Sequence, residues 1–299
     1  MKNIKICLKA FSLIELSIVI LIVGILIAGI TQSSRLINAM RIQSIRSITL
    51  SSPVASTSGL VMWFETVLEN SFDVNETSNG SGITTWFDIN PQSTVKNNAT
   101  QTTIGRKPIY NSNGVVPLLN FNGVNSGQFL NLADNAFPGG DSAYSIFMVF
   151  KLAQDASAKN HDIFVAGRWT NSITLVRLDN TSGFKYTHFT GGGGSTVYWP
   201  KTANLPINNL GIYTTIYFNS LSNRIITNYV NGALANTTSI ADPRTTISNY
   251  TMIGGNSWVD FEYFRGDIGE IIIFNRSLNS DERTDIEKYL AKKWSIKLS

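Results

Sequence analysis

Asp267 and Glu270 in "GDIGEIIIF" come nearest to a glycoside-cleaving pair. That reaction needs one carboxyl to protonate the leaving oxygen. A second, roughly 5–10 Å away on the same face, acts as nucleophile or activates water. Side chains of a regular strand alternate between its faces, so a spacing of three sends this pair to opposite sides. Three isoleucines follow Glu270 with no further acid, so the hydrolytic pattern is missing. His161 and His188 supply imidazoles, but neither stands in a nucleophile motif and no His/Cys spacing matches a metal site. "TGGGGS" (190–195) lacks the GK[ST] and the helix of a phosphate loop and reads as a hairpin connection. Cys7 is the single cysteine, so no internal disulfide staples the fold. These residues describe a chain that is not an enzyme.

Binding chemistry is better supplied. Three stretches place rings and hydroxyls at alternate positions: Phe184, Tyr186 and His188; Tyr213, Thr215 and Tyr217; Ile225, Thr227 and Tyr229. On adjacent strands these would form one aromatic face suited to stacking sugars, and the alternative is the edge of an ordinary core. "NSWVDFEYF" (256–264) gathers Trp258, Phe261, Tyr263 and Phe264 beside Asp260 and Glu262. A loop of that composition either contacts a ligand or closes one end of the fold.

Positioning these groups falls mainly to strands. Short β-prone runs recur from residue 59 to 275, among them "YSIFMVFK", "GIYTTIYFN" and "NRIITNYVNG", separated by turn residues. Asn231-Gly232 marks a tight hairpin turn. One helix closes the chain, "NSDERTDIEKYLAKKW". Asn279 and Glu282 make a capping-box start, acids lead, and Lys292 and Lys293 end it in accord with the helix dipole. Many strands without alternating helices imply a two-sheet β-sandwich.

Charged residues are 15% of the chain, below the usual quarter, and the net charge is +4. The excess is local: residues 1–50 hold six Lys/Arg against one acid, and the rest holds 18 against 19. A near-neutral body excludes a broad basic surface, hence nucleic acid as a partner.

The basic start leads into an apolar run, residues 11–30, interrupted only by Glu15. As a helix it is about 30 Å long, one hydrocarbon thickness. A removed secretory signal fits the leading lysines and the small residues near 28–34, but not the length or Glu15. A permanent anchor fits the length, yet an unpartnered charge inside a bilayer costs roughly 2.5–3.5 kcal/mol. A third reading accounts for Glu15. Cleavage between Ala10 and Phe11 would free an amine about 6 Å along the helix from the carboxylate. In staggered parallel helices the amine of one copy can then meet Glu15 of the next. The helix is expected to continue amphipathically to about residue 51, with Pro53 as its stop and 53–59 as a linker.

"KAFSLIELSIVILIVGILIAGI" resembles the N-terminus of type IV pilins and of the pseudopilins of type II secretion. The resemblance implies a leader of residues 1–10, an assembly and transmembrane helix over 11–52, and a prepilin peptidase that cuts after Ala10 and methylates the Phe11 amine. It implies partners among other pilin or pseudopilin subunits. It also implies insertion in the inner membrane with the N-terminus in the cytoplasm, before passage to a pilus or the cell surface. Ala10 departs from the family's usual glycine. A second resemblance covers 60–299. "WFDINPQ", "LNFNGVNSGQFLNL", "NYVNGALAN" and "FRGDIGEIIIFNRSLNSDERTDIEKYLAKKW" together resemble a laminin-G-like, concanavalin A-like domain. That implies a mainly β jelly-roll sandwich with a C-terminal helix and a glycan or surface-protein ligand. Such domains sometimes hold Ca²⁺, for which Asp88, Asp134, Asp141 and Asp260 qualify by type, with turn capping the favoured role for Asp88. No other cofactor is implied. The candidate ligand-binding residues are therefore Tyr186, His188, Tyr213, Tyr217, Tyr229, Trp258, Phe261 and Tyr263.

Overall fold

The computed structural model describes residues 12–123, 127–153, 161–168, 172–179, 183–188, 196–198, 209–220, 223–240, 243, 250–255 and 262–299. The chain divides into two compact units between Ser44 and Ile45. Helix α1 runs over Leu13–Leu50. Its stretch Leu13–Ile30 is long and apolar enough to cross a membrane, and none of it is buried. The helix opens on a capping arrangement. Glu15 accepts a hydrogen bond from the Ser12 amide at 2.9 Å, and the Ser12 hydroxyl lies 3.4 Å from the Ile14 amide. It ends before Pro53, where Ser52 turns extended as the residue preceding a proline does.

Among the described residues the strands that follow are β1 (Leu60–Glu65), β2 (Thr85–Trp86), β3 (Ala99–Thr100), β4 (Ile109–Asn111), β5 (Leu118–Asn122), β6 (Leu130–Asn131), β7 (Tyr144–Leu152), β8 (His161–Arg168), β9 (Ser172–Asp179), β10 (Gly183–His188), β11 (Thr196–Tyr198), β12 (Gly211–Ser220), β13 (Asn223–Val230), β14 (Ala233–Ser239), β15 (Thr251–Ile253) and β16 (Arg265–Phe274), before helix α2 (Ser280–Trp294). They form two antiparallel sheets. Sheet A has the order β14-β13-β12-β7-β16-β5-β4, with β1 also on β16; sheet B has the order β11-β10-β9-β8-β15-β6-β3-β2. One core fills the space between them, from Met62, Phe64, Met148 and Phe150 on one side to Phe164, Ala166 and Ile253 on the other. The expected sandwich and terminal helix are both present.

β7 and β16 are buried almost throughout because sheet A is covered on both faces at these strands. Ile268, Ile271 and Ile273 enter the core. Ile272 and Phe274, equally buried, lie on the other side, where Phe274 meets Phe147 edge-to-face. That outer face belongs to α2. Its Asn279 accepts from the amides of Asp281 and Glu282 while Glu282 reaches back to the Asn279 amide, the expected capping box. Asn231 and Gly232 both hold positive φ (49° and 83°), the turn that matches the twist of the β13–β14 hairpin.

What docks α2 is ionic. Glu65 and Glu270 stand opposite each other across β1 and β16, and like charges so placed repel. Lys293 of α2 lies between them, 2.9 Å from Glu65 and 3.0 Å from Glu270. All three side chains are buried. Glu270 also accepts from Trp63 Nε1 (2.8 Å), the Tyr289 hydroxyl (2.7 Å) and Trp294 Nε1 (2.8 Å). Glu65 accepts from the amides of Val67 (2.9 Å) and Leu68 (2.7 Å) and from the Ser71 hydroxyl. Each carboxylate thus receives four donors, its full capacity. Burial pushes the Glu65 carboxyl up, but Lys293, Ser71 and the Leu68 amide outweigh it and hold the group below its ordinary 4.5. Burial keeps the Tyr289 phenol well above its usual range, so it remains a donor.

The segment 53–59, expected as a linker, is instead fastened to the β unit. Val54 is buried. Gln92 donates to the carbonyls of Ala55 (3.0 Å) and Thr57 (2.7 Å), and Arg276 donates to that of Ser58 (2.8 Å). Its polar chain is satisfied by side chains reaching over from elsewhere in the fold, which sequence-local turn signals do not reveal.

Replacing Lys293 with Met leaves two buried, unpaired carboxylates and is expected to cost about 3–5 kcal/mol in equilibrium denaturation. Because the Glu65 pKa is lowered by folding, its contribution is complete above 4.5 and is lost as the pH falls through the lower folded value. The denaturation midpoint should therefore drop as the pH falls below 4.5, and that drop should shrink in a Glu65→Gln variant.

Candidate ligand-binding cleft

The aromatic face expected from β10, β12 and β13 does not form. β10 belongs to sheet B, paired with β9 and β11, whereas β12 and β13 belong to sheet A. The side chains of Tyr186 and His188 lie outside the described residues. Tyr213 and Tyr217 point into the sandwich and are buried. Tyr213 stacks on Phe150 with ring centres 4.3 Å apart, and Tyr217 packs on Tyr144 at 5.3 Å. Burial raises the Tyr213 phenol well above its ordinary pKa. The β12–β13 register sets Tyr213 opposite Val230 and Thr214 opposite Tyr229, so Tyr229 faces the other way. There it lies half-buried under the Arg283 guanidinium, 4.0 Å from the ring centre. Alternation within each strand was legible; which strands share a sheet, and in what register, was not.

Tyr263 is also a packing residue. It is buried and stacks on Phe129. A Cβ on Gly127 would fall 1.8 Å from its ring and one on Gly255 2.5 Å, so two glycines make its slot. Its carbonyl accepts from His161 Nδ1 at 2.9 Å. Neighbouring Glu262 pairs with Arg177, which also holds Asp162 through bonds of 2.6 and 3.0 Å. Trp258, Asp260 and Phe261 lie outside the described residues, as do Cys7, Ala10, Phe11 and the 190–195 loop.

The carboxylates at 267 and 270 differ from expectation in one respect. A bulge between Ile268 and Glu270 inserts Gly269 into the ladder. Asp267 and Glu270 therefore both turn away from the core, onto one face. Neither is free for chemistry. Asp267 pairs with Lys151 at 3.1 Å and accepts from Asn120 at 2.8 Å, and Glu270 is saturated beneath α2. Among the Ca²⁺ candidates, Asp88 accepts from the amides of Trp63, Asn90 and Asn97, a turn-fixing role. Asp141 pairs with Arg224 at 2.7 Å, and Asp134 lies 3.4 Å from the Tyr250 amide. Among the described residues no group of three or more His, Cys, Asp or Glu could hold a metal ion.

A cleft of about 540 Å³ opens where α2 ends, within the usual size range of small-molecule sites. Lys151, the Asn231 turn, Asn209, Trp294, Ser295 and Lys297 form its polar and aromatic walls, and Leu118, Leu210 and Ile296 its apolar surface. Ser295 caps α2 in the left-handed conformation, which turns Ile296 and Lys297 along the cleft. Asn231 is fixed by the Ile212 amide, 2.8 Å from its Oδ1. Sequence reasoning missed this site, since its residues come from five distant segments and carry no motif.

A family model described as the concanavalin A-like lectin/glucanases superfamily, of the laminin-G type, matches residues 124–282, more than half of the chain. The chain belongs to that superfamily. No curated protein sequence matches it. Domain 4 of an extracellular arabinanase from Geobacillus stearothermophilus, solved with arabinotriose, shares the fold at TM-score 0.52 and 16% identity, over 76% of this chain and 98% of that one. The binding domain of botulinum neurotoxin serotype D gives TM-score 0.55 at 13% identity, over 81% of this chain and 53% of that one. The binding domain of Paraclostridial mosquitocidal protein 1 gives 0.54 at 13%, over 78% and 52%. This chain thus spans about half the length of the two toxin domains.

For this concanavalin A-like domain, Tyr217→Ala should lower stability by about 3–5 kcal/mol, as loss of a large core aromatic does. Denaturation will separate that outcome from a ligand role, in which stability would hold and only affinity would fall.

Proposed function

We propose that the chain is a type IV pilin-like subunit, a minor pilin or pseudopilin, which presents its concanavalin A-like domain outside the cytoplasm to bind glycan or a surface protein without catalysis. The observation that carries this reading is Glu15. It is the one charge in the apolar stretch Leu13–Ile30, none of which is buried among the described residues. Such a stretch needs either lipid or neighbouring helices around it. Cleavage between Ala10 and Phe11 by a prepilin peptidase would supply a methylated amine, and the amine of one subunit would neutralise Glu15 of another. Binding rather than hydrolysis is favoured because Asp267 and Glu270 are both engaged. Glycan as ligand is favoured by the superfamily and by the arabinanase domain solved with arabinotriose. Tyr186, His188, Tyr229, Trp258 and Phe261 remain candidates for ligand contact in addition to the residues of the cleft.

One observation favours a second reading, an anchored lectin that does not assemble. The Ser12 amide already satisfies Glu15 within a single chain. The two readings part on one experiment. In the pilin-like subunit the mature N-terminus is N-methylated Phe11, and Glu15→Ala abolishes entry into filaments while leaving the β unit folded. An intact Met1, a cut near Ser34, or normal behaviour of Glu15→Ala would favour the anchored lectin or a removed signal.

A further inference from the structure

We infer that the cleft at the end of α2 takes a carboxylate-bearing saccharide, a uronic or nonulosonic acid unit, with Lys297 as its counter-charge. This rests on the glycan-binding reading above and names the ligand class for it. The lining holds two lysines and no acid. They are not equivalent. Lys151 is already answered by Asp267, 3.1 Å away, and Asp267 is itself held by Asn120. Lys297 is exposed and has no ion-pair partner among the described residues. At the end of α2 the Ala291 carbonyl is taken by the amides of Ser295 and Ile296. Among the described residues, Lys297 is thus the lysine of this cleft without an ion-pair partner.

Its remaining chemistry points to a sugar rather than a bare anion. Asn209 is exposed and brings an amide that both donates and accepts, and Ser295 brings a hydroxyl. Asn231 uses its Oδ1 on the Ile212 amide, which leaves its NH₂ group to donate. Leu118, Leu210 and Ile296 supply an apolar surface for the C–H face of a pyranose. A neutral sugar would leave Lys297 unanswered, and phosphate would leave the apolar surface unused. A sugar acid engages both.

The test uses the full chain, purified in detergent at low salt. Calorimetric titrations would employ a glucuronate-containing tetrasaccharide, sialyllactose, lactose and cellotetraose as neutral controls, and inorganic phosphate. An acidic saccharide should bind, and whichever of the two binds identifies its type. Lys297→Glu should weaken that binding about tenfold, a size suited to reversing one exposed charge at low salt. Lys297→Arg should retain it, and 0.5 M NaCl should weaken it through screening. The denaturation midpoint of both variants should match the parent, since the Lys297 side chain is exposed and forms no ion pair among the described residues. Neutral sugars bound as tightly as acidic ones, acidic binding indifferent to Lys297→Glu, or phosphate bound as tightly as the sugar acids would each overturn the inference and leave the glycan-binding reading standing. Binding of no saccharide at all would overturn both.

Discussion

Two carboxylates face each other across a pair of buried strands, and one ammonium from a distant helix holds them there. Glu65 and Glu270 repel as direct cross-strand neighbours. Each would also be costly to remove from water alone. Lys293 bridges them, and the indoles of Trp63 and Trp294, the hydroxyls of Tyr289 and Ser71 and two backbone amides fill the remaining acceptor sites. A buried ion pair in an apolar setting rarely adds much net stability, but it does penalise other arrangements severely. Here the penalised alternative is any other seating of α2. Because α2 covers the outer face of sheet A, its position also determines that Ile272, Phe274 and Phe147 are buried rather than wet.

The same seating shapes both the surroundings of Glu270 and the cleft at the end of the helix. Gly269 sits in the β16 bulge, where a Cβ would stand 2.6 Å from the Trp294 ring. Only glycine lets the indole close onto the strand and reach Glu270. The bulge then turns Asp267 and Glu270 to one side, which is the geometry a glycosidase would want, yet both carboxylates are consumed in holding structure. One turn further, the left-handed Ser295 releases the chain from α2 and carries Ile296 and Lys297 past Lys151 and Asn231. The helix that engages Glu270 also builds the cleft.

At the other end of the chain the physical problem is similar and its solution differs. Glu15 is the one charge in the apolar stretch Leu13–Ile30, which is exposed among the described residues, and the Ser12 amide answers it locally. A carboxylate at the first turn of a helix is favoured by the dipole as well. Ser12 and Glu15 also fit the spacing of a capping box, a signal in "FSLIE" that the charge argument alone passed over.

Much of this was legible without coordinates. The apolar helix, its end before Pro53, the strand-rich body, the Asn231-Gly232 hairpin and the cap at Asn279 and Glu282 all rest on local chemistry: periodicity, fixed φ, left-handed tolerance and side-chain capping. The failures share one cause. Whether Tyr213 and Tyr217 meet a ligand or a core, whether 53–59 is free, and whether residues 267 and 270 share a face depend on sheet partners, a one-residue bulge and side chains arriving from far along the chain. The sequence by itself determined which segments are helix and which are strand, because those preferences act within a few residues. Only the tertiary structure decided what each face touches, because burial and charge pairing join residues as distant as Glu65 and Lys293.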